Sequence, residues 1–407
     1  MASAPMTLRS PVVAFMDLGT TSVRLLIVRI NPNHSWTVLS QNKEMVLLGF
    51  GAFVHQRLQT EAMERAALVL GKFVEMAESY GATEIIAVAT AATREAENRD
   101  EFIRMIKTRT GLNLRVIPGR EEARLIHLGV ASGLNLDANA LFIDIGGGST
   151  EMIVGDNSGY RALESLKVGA IRLTMNHLAG ETGPVSEKKY QSLRTGVRSV
   201  AWPVVQQLRS HLWSSVVGSS GTIQSLAMIA EQRSGRKHPG PAAFSYRELR
   251  EVSREIRAMT LAERRRIKGV NQTRAEILVA GAAILETLME ELDLGEIAVS
   301  DRGLKEGMLI DYLDRAEVGR SVRELPLRQR SVIELGRRCH YDEEHAEQVS
   351  RLALDLFDSS RRSGLHSFGE WERELLGHAA LLHDIGAFVS YSNHHSHSYY
   401  LVRNSEM

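Results

Sequence analysis

"MDLGTTSVRLLIV" (Met16–Val28) and "IDIGGGSTEMIVG" (Ile143–Gly155) are two versions of one pattern: an acid, a glycine-containing polar turn ending in serine, then an apolar run. Aligned on their acids, Asp17 matches Asp144, Gly19 matches Gly146 and Ser22 matches Ser149, at a constant offset of 127 residues. Each copy reads as strand, tight turn, strand. Small residues in such a turn let backbone N–H groups approach an anion that bulkier side chains would keep away. The acid just before the turn is placed to hold Mg²⁺ between protein and phosphate. On opposed domains, the two hairpins would face each other across a cleft. Arg24 stands in the first copy where Glu151 stands in the second. Opposite signs there suit a phosphate clamped from one side and a metal held from the other, or a salt bridge between them.

Outward from the hairpins, strands and helices alternate. Helical spacing over residues 60–82 is followed by the strand "TEIIAVAT", a helix over "AATREAENRDEFIRMIKTRTG", the strand "LNLRVIP" and a helix opening at "GREEARLIHLGVAS". After the second hairpin come "YRALESLKVGAIRLT", a helical region to about Ser210, the strand "SSVVGSS", a helix from Thr222, a largely helical stretch from Ala243 to Leu292, and a last strand and helix in "GEIAVSDRGLKEGMLIDYL". This predicts two α/β domains with a boundary near Asn135. From about Glu317 the β-rich runs stop and helix-spaced leucines take over, so a separate helical domain is expected.

Bulk properties narrow the function. Formal net charge is zero over 407 residues, which argues against broad electrostatic binding to nucleic acid or an anionic membrane. An anionic ligand must then be met by a few placed groups. Cys339 is the only cysteine, so no intrachain disulfide is possible. No apolar run is long enough for a membrane span, and the expected location is the cytoplasm.

The paired hairpins resemble the phosphate motifs of the acetate kinase/sugar kinase/Hsc70/actin superfamily. Within it, "DLGTTSVRL", "ATAATREAENRDEF", "GREEARLIHLGV" and "DIGGGSTEMIVG" resemble the exopolyphosphatase/guanosine pentaphosphate phosphohydrolase (Ppx/GppA) family, with "LKVGAIRLT", "VGSSGTI" and "GLKEGMLIDYL" following in family order. The first turn departs from the "GSNS" of many members, having Thr20-Thr21-Ser22 instead. The resemblance implies an α/β fold of two actin-like (ribonuclease H-like) domains around a cleft, residues 1–135 and 136–316. It adds an all-α HD-like domain at 317–407 that is short or truncated.

The family's catalytic base is the second Glu of "EEA", here Glu122, with Asp144 and Glu151 as partners in metal binding and water positioning. Read without the family, Glu121 and Glu122 are acids favoured at a helix start. The resemblance further implies Asp17, Asp144 and Glu151 as metal ligands. Phosphate would be held by Thr20, Thr21, Ser22, Arg94, Gly146, Gly147, Gly148 and Ser149, and by the Gly218, Ser219, Ser220, Gly221 and Thr222 loop at a helix start. Mg²⁺ or another divalent cation is the expected cofactor, with K⁺ a further candidate. Expected substrates are inorganic polyphosphate and guanosine pentaphosphate, with guanosine tetraphosphate as regulator and a homodimer as the assembly. A nucleotide phosphatase alone, a non-catalytic alarmone-binding regulator and a kinase of the same superfamily are the alternatives. His345 and His383-Asp384 fit the H…HD pattern, and the helical domain is read as structural or dimer-forming rather than catalytic.

Overall fold

The structure is a computed structural model that describes residues 10–31, 35–235, 242–315, 327–339, 341–390 and 393–405. The chain divides into two compact units, one of residues 12–27 with 39–315, the other of residues up to 11, 28–38 and those beyond 315.

β1 (Val12–Leu18), β2 (Ser22–Ile30), β3 (Trp36–Met45), β4 (Glu84–Ala89) and β5 (Leu114–Val116) form one sheet, ordered β3-β2-β1-β4-β5. β6 (Ala140–Ile145), β7 (Thr150–Asp156), β8 (Gly159–Leu166), β9 (Ser215–Ser219), β10 (Ala243–Ser245) and β11 (Glu296–Val299) form the second, ordered β10-β11-β9-β6-β7-β8. Both sheets follow one plan. Three consecutive strands come first, and the leading strand of each then gains parallel neighbours: β4 and β5 beside β1, β9 and β11 beside β6. Parallel neighbours need crossover connections, which helices supply. The duplication seen in the two hairpins is therefore a duplication of topology.

β1 and β6 are buried at every residue, reading "VVAFMDL" and "ALFIDI". Strands buried on both faces are near-continuous apolar runs, so the single aspartate in each stands out. β3 was absent from the expected elements; most of its residues are polar and half-buried, with too weak an alternation to declare a strand. The helix expected over residues 91–111 is two, Ala91–Glu95 and Arg99–Thr110. In the break, the Asn98 carboxamide accepts from the Leu58 N–H at 2.8 Å and donates to the Leu58 carbonyl at 3.0 Å. That long-range pairing ties down the backbone where a continuous helix would otherwise run.

The helix Leu304–Arg315 packs across the helix Gly119–Ala131. A Cβ at Gly307 would lie 1.7 Å from the Leu125 carbonyl oxygen, and one at Gly129 would lie 2.1 Å from that of Gly303. Only glycine permits this backbone-to-backbone approach. The Phe15 ring of β1 meets Tyr312 edge-on at 5.8 Å.

Beyond residue 315 the described chain is helical: Leu327–Arg338, Glu343–Arg362, Glu370–Leu381 and His394–Asn404, with a short 3₁₀ turn at Ile385–Phe388. Val332, Leu335, Ala346, Leu381 and Ile385 form part of its apolar core. No described helix is long and apolar enough to cross a membrane.

Candidate active site

The two turns have the same internal geometry. The Gly19 N–H donates to the Ser22 carbonyl at 3.0 Å, and the Gly146 N–H donates to the Ser149 carbonyl at 2.9 Å. They meet tip to tip. A Cβ at Gly147 would lie 2.8 Å from Thr21 Oγ1, and one at Gly148 would lie 2.9 Å from Thr20 Oγ1 and 2.8 Å from Ala91 Cβ. The Gly146 and Gly147 carbonyls accept from the N–H groups of Ala170 and Ile171 at 3.0 and 2.9 Å, which anchors the second turn to the start of the helix Ala170–His177. Gly148→Ala is expected to lower stability by about 1–3 kcal/mol through overpacking. Thermal melting of the variant beside the wild type checks this.

Below the turns lie four buried carboxylates: Asp17, Glu122, Asp144 and Glu151. Asp144 faces Glu151 across the β6–β7 pair and Ser219 across the β6–β9 pair. The Ser219 hydroxyl donates to Asp144, and the Ser165 hydroxyl donates to Glu151 Oε1 at 2.7 Å. Glu122 sits in the first turn of the helix Gly119–Ala131. Arg94 Nη1 donates to Glu122 Oε2 at 2.8 Å and to the Ile117 carbonyl at 3.0 Å. Burial raises Asp17 to about 6, with Arg24 pulling it back. Burial likewise raises Glu122 to about 7, against the opposing charge and hydrogen bond of Arg94. Asp144 is pushed up by burial, and Glu151 goes well above its ordinary range through burial and the charges of Glu122 and Asp144. An all-oxygen set whose acids are raised by burial fits a hard divalent cation.

Cations also line the cleft, which holds about 650 Å³ of space not filled by protein atoms and open to solvent, with Arg24 and Arg274 among its walls. Arg274 Nη1 donates to Thr222 Oγ1 at 3.1 Å. Burial and Arg24 lower Arg274 to about 10. Cations that depress one another in this way favour an anion between them.

Of the residues expected from sequence, Asp17, Thr20, Thr21, Ser22, Glu122 and Asp144 line the cleft, as do Gly146 to Ser149, Ser220 and Gly221. Others stand back from it. Glu151, the cross-strand partner of Asp144, is 1% exposed and does not line the cleft. Arg94 holds Glu122 and borders a separate groove with Arg99 and Pro118. Gly218 is a packing position, where a Cβ would lie 2.8 Å from both Ile223 and Ile297. Ser219 spends its hydroxyl on Asp144, and Thr222 accepts from Arg274. Arg24 makes no ion pair with Glu151 among the described residues. Arg274 was not foreseen. Arg274 follows an Asn271 N-cap, whose Oδ1 accepts from the Arg274 N–H at 2.8 Å. That helix start is the only local signal in the sequence, and it carries no hint of the cleft.

The chain is similar to known proteins in both sequence and fold. The family model of the Ppx/GppA phosphatase family matches residues 26–316, and that of Ppx/GppA phosphatase domain III matches residues 327–407. A guanosine-5'-triphosphate,3'-diphosphate pyrophosphatase of Aeromonas hydrophila is 30% identical over 400 residues, covering 98% of this chain and 77% of the relative. A crystal structure of an exopolyphosphatase from Cytophaga hutchinsonii aligns with a TM-score of 0.70 at 28% identity, over 76% of this chain and 99% of that one. The Aquifex aeolicus PPX-GPPA enzyme aligns with a TM-score of 0.62 at 27% identity, over 74% and 99%.

Proposed function

Because the chain belongs to the Ppx/GppA phosphatase family, we propose that its cleft removes the terminal phosphate of inorganic polyphosphate or of guanosine pentaphosphate. The chain is a hydrolase of phosphoanhydrides. The observation that carries the mechanism is Glu122, a buried carboxylate raised to about 7 and aimed by Arg94 at 2.8 Å, in the wall of a cleft whose other walls are small-residue turns and cations.

In this reading the terminal phosphoryl oxygens lie against the two turns, Thr20 to Ser22 and Gly146 to Ser149, with Arg24 and Arg274 balancing their charge. Glu122 takes a proton from the attacking water as its oxygen closes on phosphorus, and the bond to the bridging oxygen breaks on the far side. Orthophosphate leaves, and the shortened chain keeps the bridging oxygen. Arg94, first read as a phosphate ligand, acts here as a positioning residue for Glu122. Asp17, Asp144 and Glu151 would hold the divalent cation, Mg²⁺ in our reading. It would neutralise phosphate charge and polarise the oxygens around phosphorus.

We also read the chain as domains of 1–135, 136–316 and 317–407, with Leu304–Arg315 crossing back onto the first. The change of sheet between Val116 and Ala140 supports the first boundary. The helical unit we take as HD-like and dimer-forming, a role supported by exposed Leu352, Leu356 and Trp371. Guanosine tetraphosphate as regulator and a cytoplasmic location complete the proposal. Phosphate release from long-chain polyphosphate, guanosine pentaphosphate and ATP, with Mg²⁺, is the deciding experiment. Release from either of the first two is expected. Transfer from ATP to an acceptor, with neither of the others cleaved, would make the protein a kinase.

A further inference from the structure

Three backbone oxygens of the second glycine turn are bound from one side, by the start of the helix Ala170–His177. The Ala170 N–H donates to the Gly146 carbonyl at 3.0 Å, and the Ile171 and Arg172 N–H groups donate to that of Gly147 at 2.9 and 3.0 Å. The third oxygen, that of Gly148, is taken by a side chain: Arg172 Nε donates to it at 2.8 Å. A trans peptide points its N–H opposite to its oxygen. The N–H groups of Gly147, Gly148 and Ser149 are therefore turned away from that helix, the orientation in which a turn of small residues receives an anion.

Arg172 reaches beyond the turn. Its Nη2 donates to Glu95 Oε1 at 2.7 Å, and its guanidinium carbon lies 4.0 Å from the centre of the Phe53 ring. A planar guanidinium can serve a carbonyl, a carboxylate and an aromatic face at once, whereas an ammonium cannot. An exposed ion pair adds little, but here the side chains of Arg172 and Glu95 are only 15% and 22% exposed. The surrounding seam is apolar, with Phe50 and Phe53 packed against Ala170, Ile171 and Ile277.

Glu95 is the last residue of the short helix Ala91–Glu95. Its neighbour Arg94 is the side chain that holds Glu122 at 2.8 Å. The same helix meets the turn at its start, where a Cβ at Gly148 would lie 2.8 Å from Ala91 Cβ. One five-residue helix thus serves both halves of the chemistry, Arg94 toward the base and Glu95, through Arg172, toward the phosphate turn.

We propose that Arg172 and Glu95 are positioning residues for phosphate release, a clamp that keeps the glycine turn in register with the base held by Arg94. The proposal rests on the reading of Glu122 as that base. Neither Arg172 nor Glu95 lines the cleft, so the clamp acts through the turn and through Arg94 and not by touching substrate. In-line attack on phosphorus tolerates little misplacement, since a shift of about 1 Å can cost about 10² in rate.

The test uses the full-length protein in Mg²⁺, with phosphate release from long-chain polyphosphate and guanosine pentaphosphate followed across substrate concentration. Glu95→Gln, which keeps the size and loses the charge, should lower kcat about tenfold and leave KM within about threefold. Arg172→Ala should lower kcat about 30-fold or more, and Arg172→Lys should regain less than about threefold of that, because it lacks the second edge. Glu95→Gln added to Arg172→Ala should cost nothing further, as expected of residues that act as one unit. A purely structural role would lower the melting temperature and leave the kcat of the folded protein as it was. Wild-type kcat in Glu95→Gln, a loss confined to KM, additive losses in the double variant or full recovery by lysine would each overturn the clamp. Should Arg172→Ala fail to fold, Glu95→Gln and Arg172→Lys carry the decision. Failure of the base reads differently: near-unchanged turnover in Glu122→Ala, with the Glu95 and Arg172 losses intact, would refute Glu122 and the clamp's link to it.

Discussion

Glu122→Ala is expected to lower turnover by about 10² or more, the usual scale for a lost general base, while the fold survives. The structure gives three reasons for an effect this large. Glu122 is the wall carboxylate held by an arginine, at 2.8 Å from Arg94. Its helix start is seated on Ser165, where a Cβ at Gly119 would lie 2.6 Å from the hydroxyl that also binds Glu151. It is raised to about 7, where a carboxylate is a stronger base and still half ionised near neutrality. The reaction needs the ionised form, so turnover should rise with pH through about 7 and level off above it. Arg94→Ala removes the charge that holds the value down and should move that rise to higher pH. Steady-state phosphate release across pH 5 to 9, with circular dichroism on each variant, separates loss of chemistry from loss of fold. Near-unchanged turnover in Glu122→Ala would move the base elsewhere.

Asp17→Asn should change stability in opposite directions with and without divalent cation. In the folded protein Asp17 is raised from 3.8 to about 6 by burial. A raised carboxyl favours folding while protonated, and that contribution is lost as pH climbs from the unfolded value through the folded one. In chelator, the wild type should therefore lose stability relative to Asp17→Asn between about pH 4 and 7. The gap should reach about 2–3 kcal/mol at pH 8 and close at pH 4. Saturating Mg²⁺ should reverse the order, because an ion bound only to the native state at about 1,000 times its Kd adds about 4.1 kcal/mol, and the variant loses a ligand. Thermal melts at pH 4 and pH 8, each with chelator and with Mg²⁺, give the four values required. A variant less stable than wild type in chelator at pH 8 would mean that Asp17 is held by groups that outweigh its burial.

Much of this arrangement was legible because the acids and small residues are local. Asp17 with Thr20 to Ser22, and Asp144 with Gly146 to Ser149, are each contained in a few consecutive positions, and the helix start at Gly119 is marked by its proline. What sequence could not place was set by pairing over long separations. Arg94 looks like a phosphate ligand at a helix start until Glu122, 28 residues on, is seen to take it. Gly218 looks like part of a loop that cradles anions until Ile223 and Ile297 close on it. Arg274 reaches the cleft from the helix Gln272–Glu291, to Thr222 52 residues earlier. The third strand escaped because its pattern is half-buried and polar. In each case the deciding neighbour is remote in sequence.

The crossing of Leu304–Arg315 over Gly119–Ala131 has a consequence for how the protein is made. Contacts as close as Gly307 on Leu125 and Gly129 on Gly303 leave nothing else able to fill that face of the Glu122 helix. At a synthesis rate of about 5–20 residues/s, the covering helix emerges roughly 10–40 s after Glu122 does. During that interval the nascent chain carries both glycine turns yet lacks the support that fixes its base. Activity should therefore arrive late in translation and all at once, and ribosome-stalled chains ending before residue 304 should be inert.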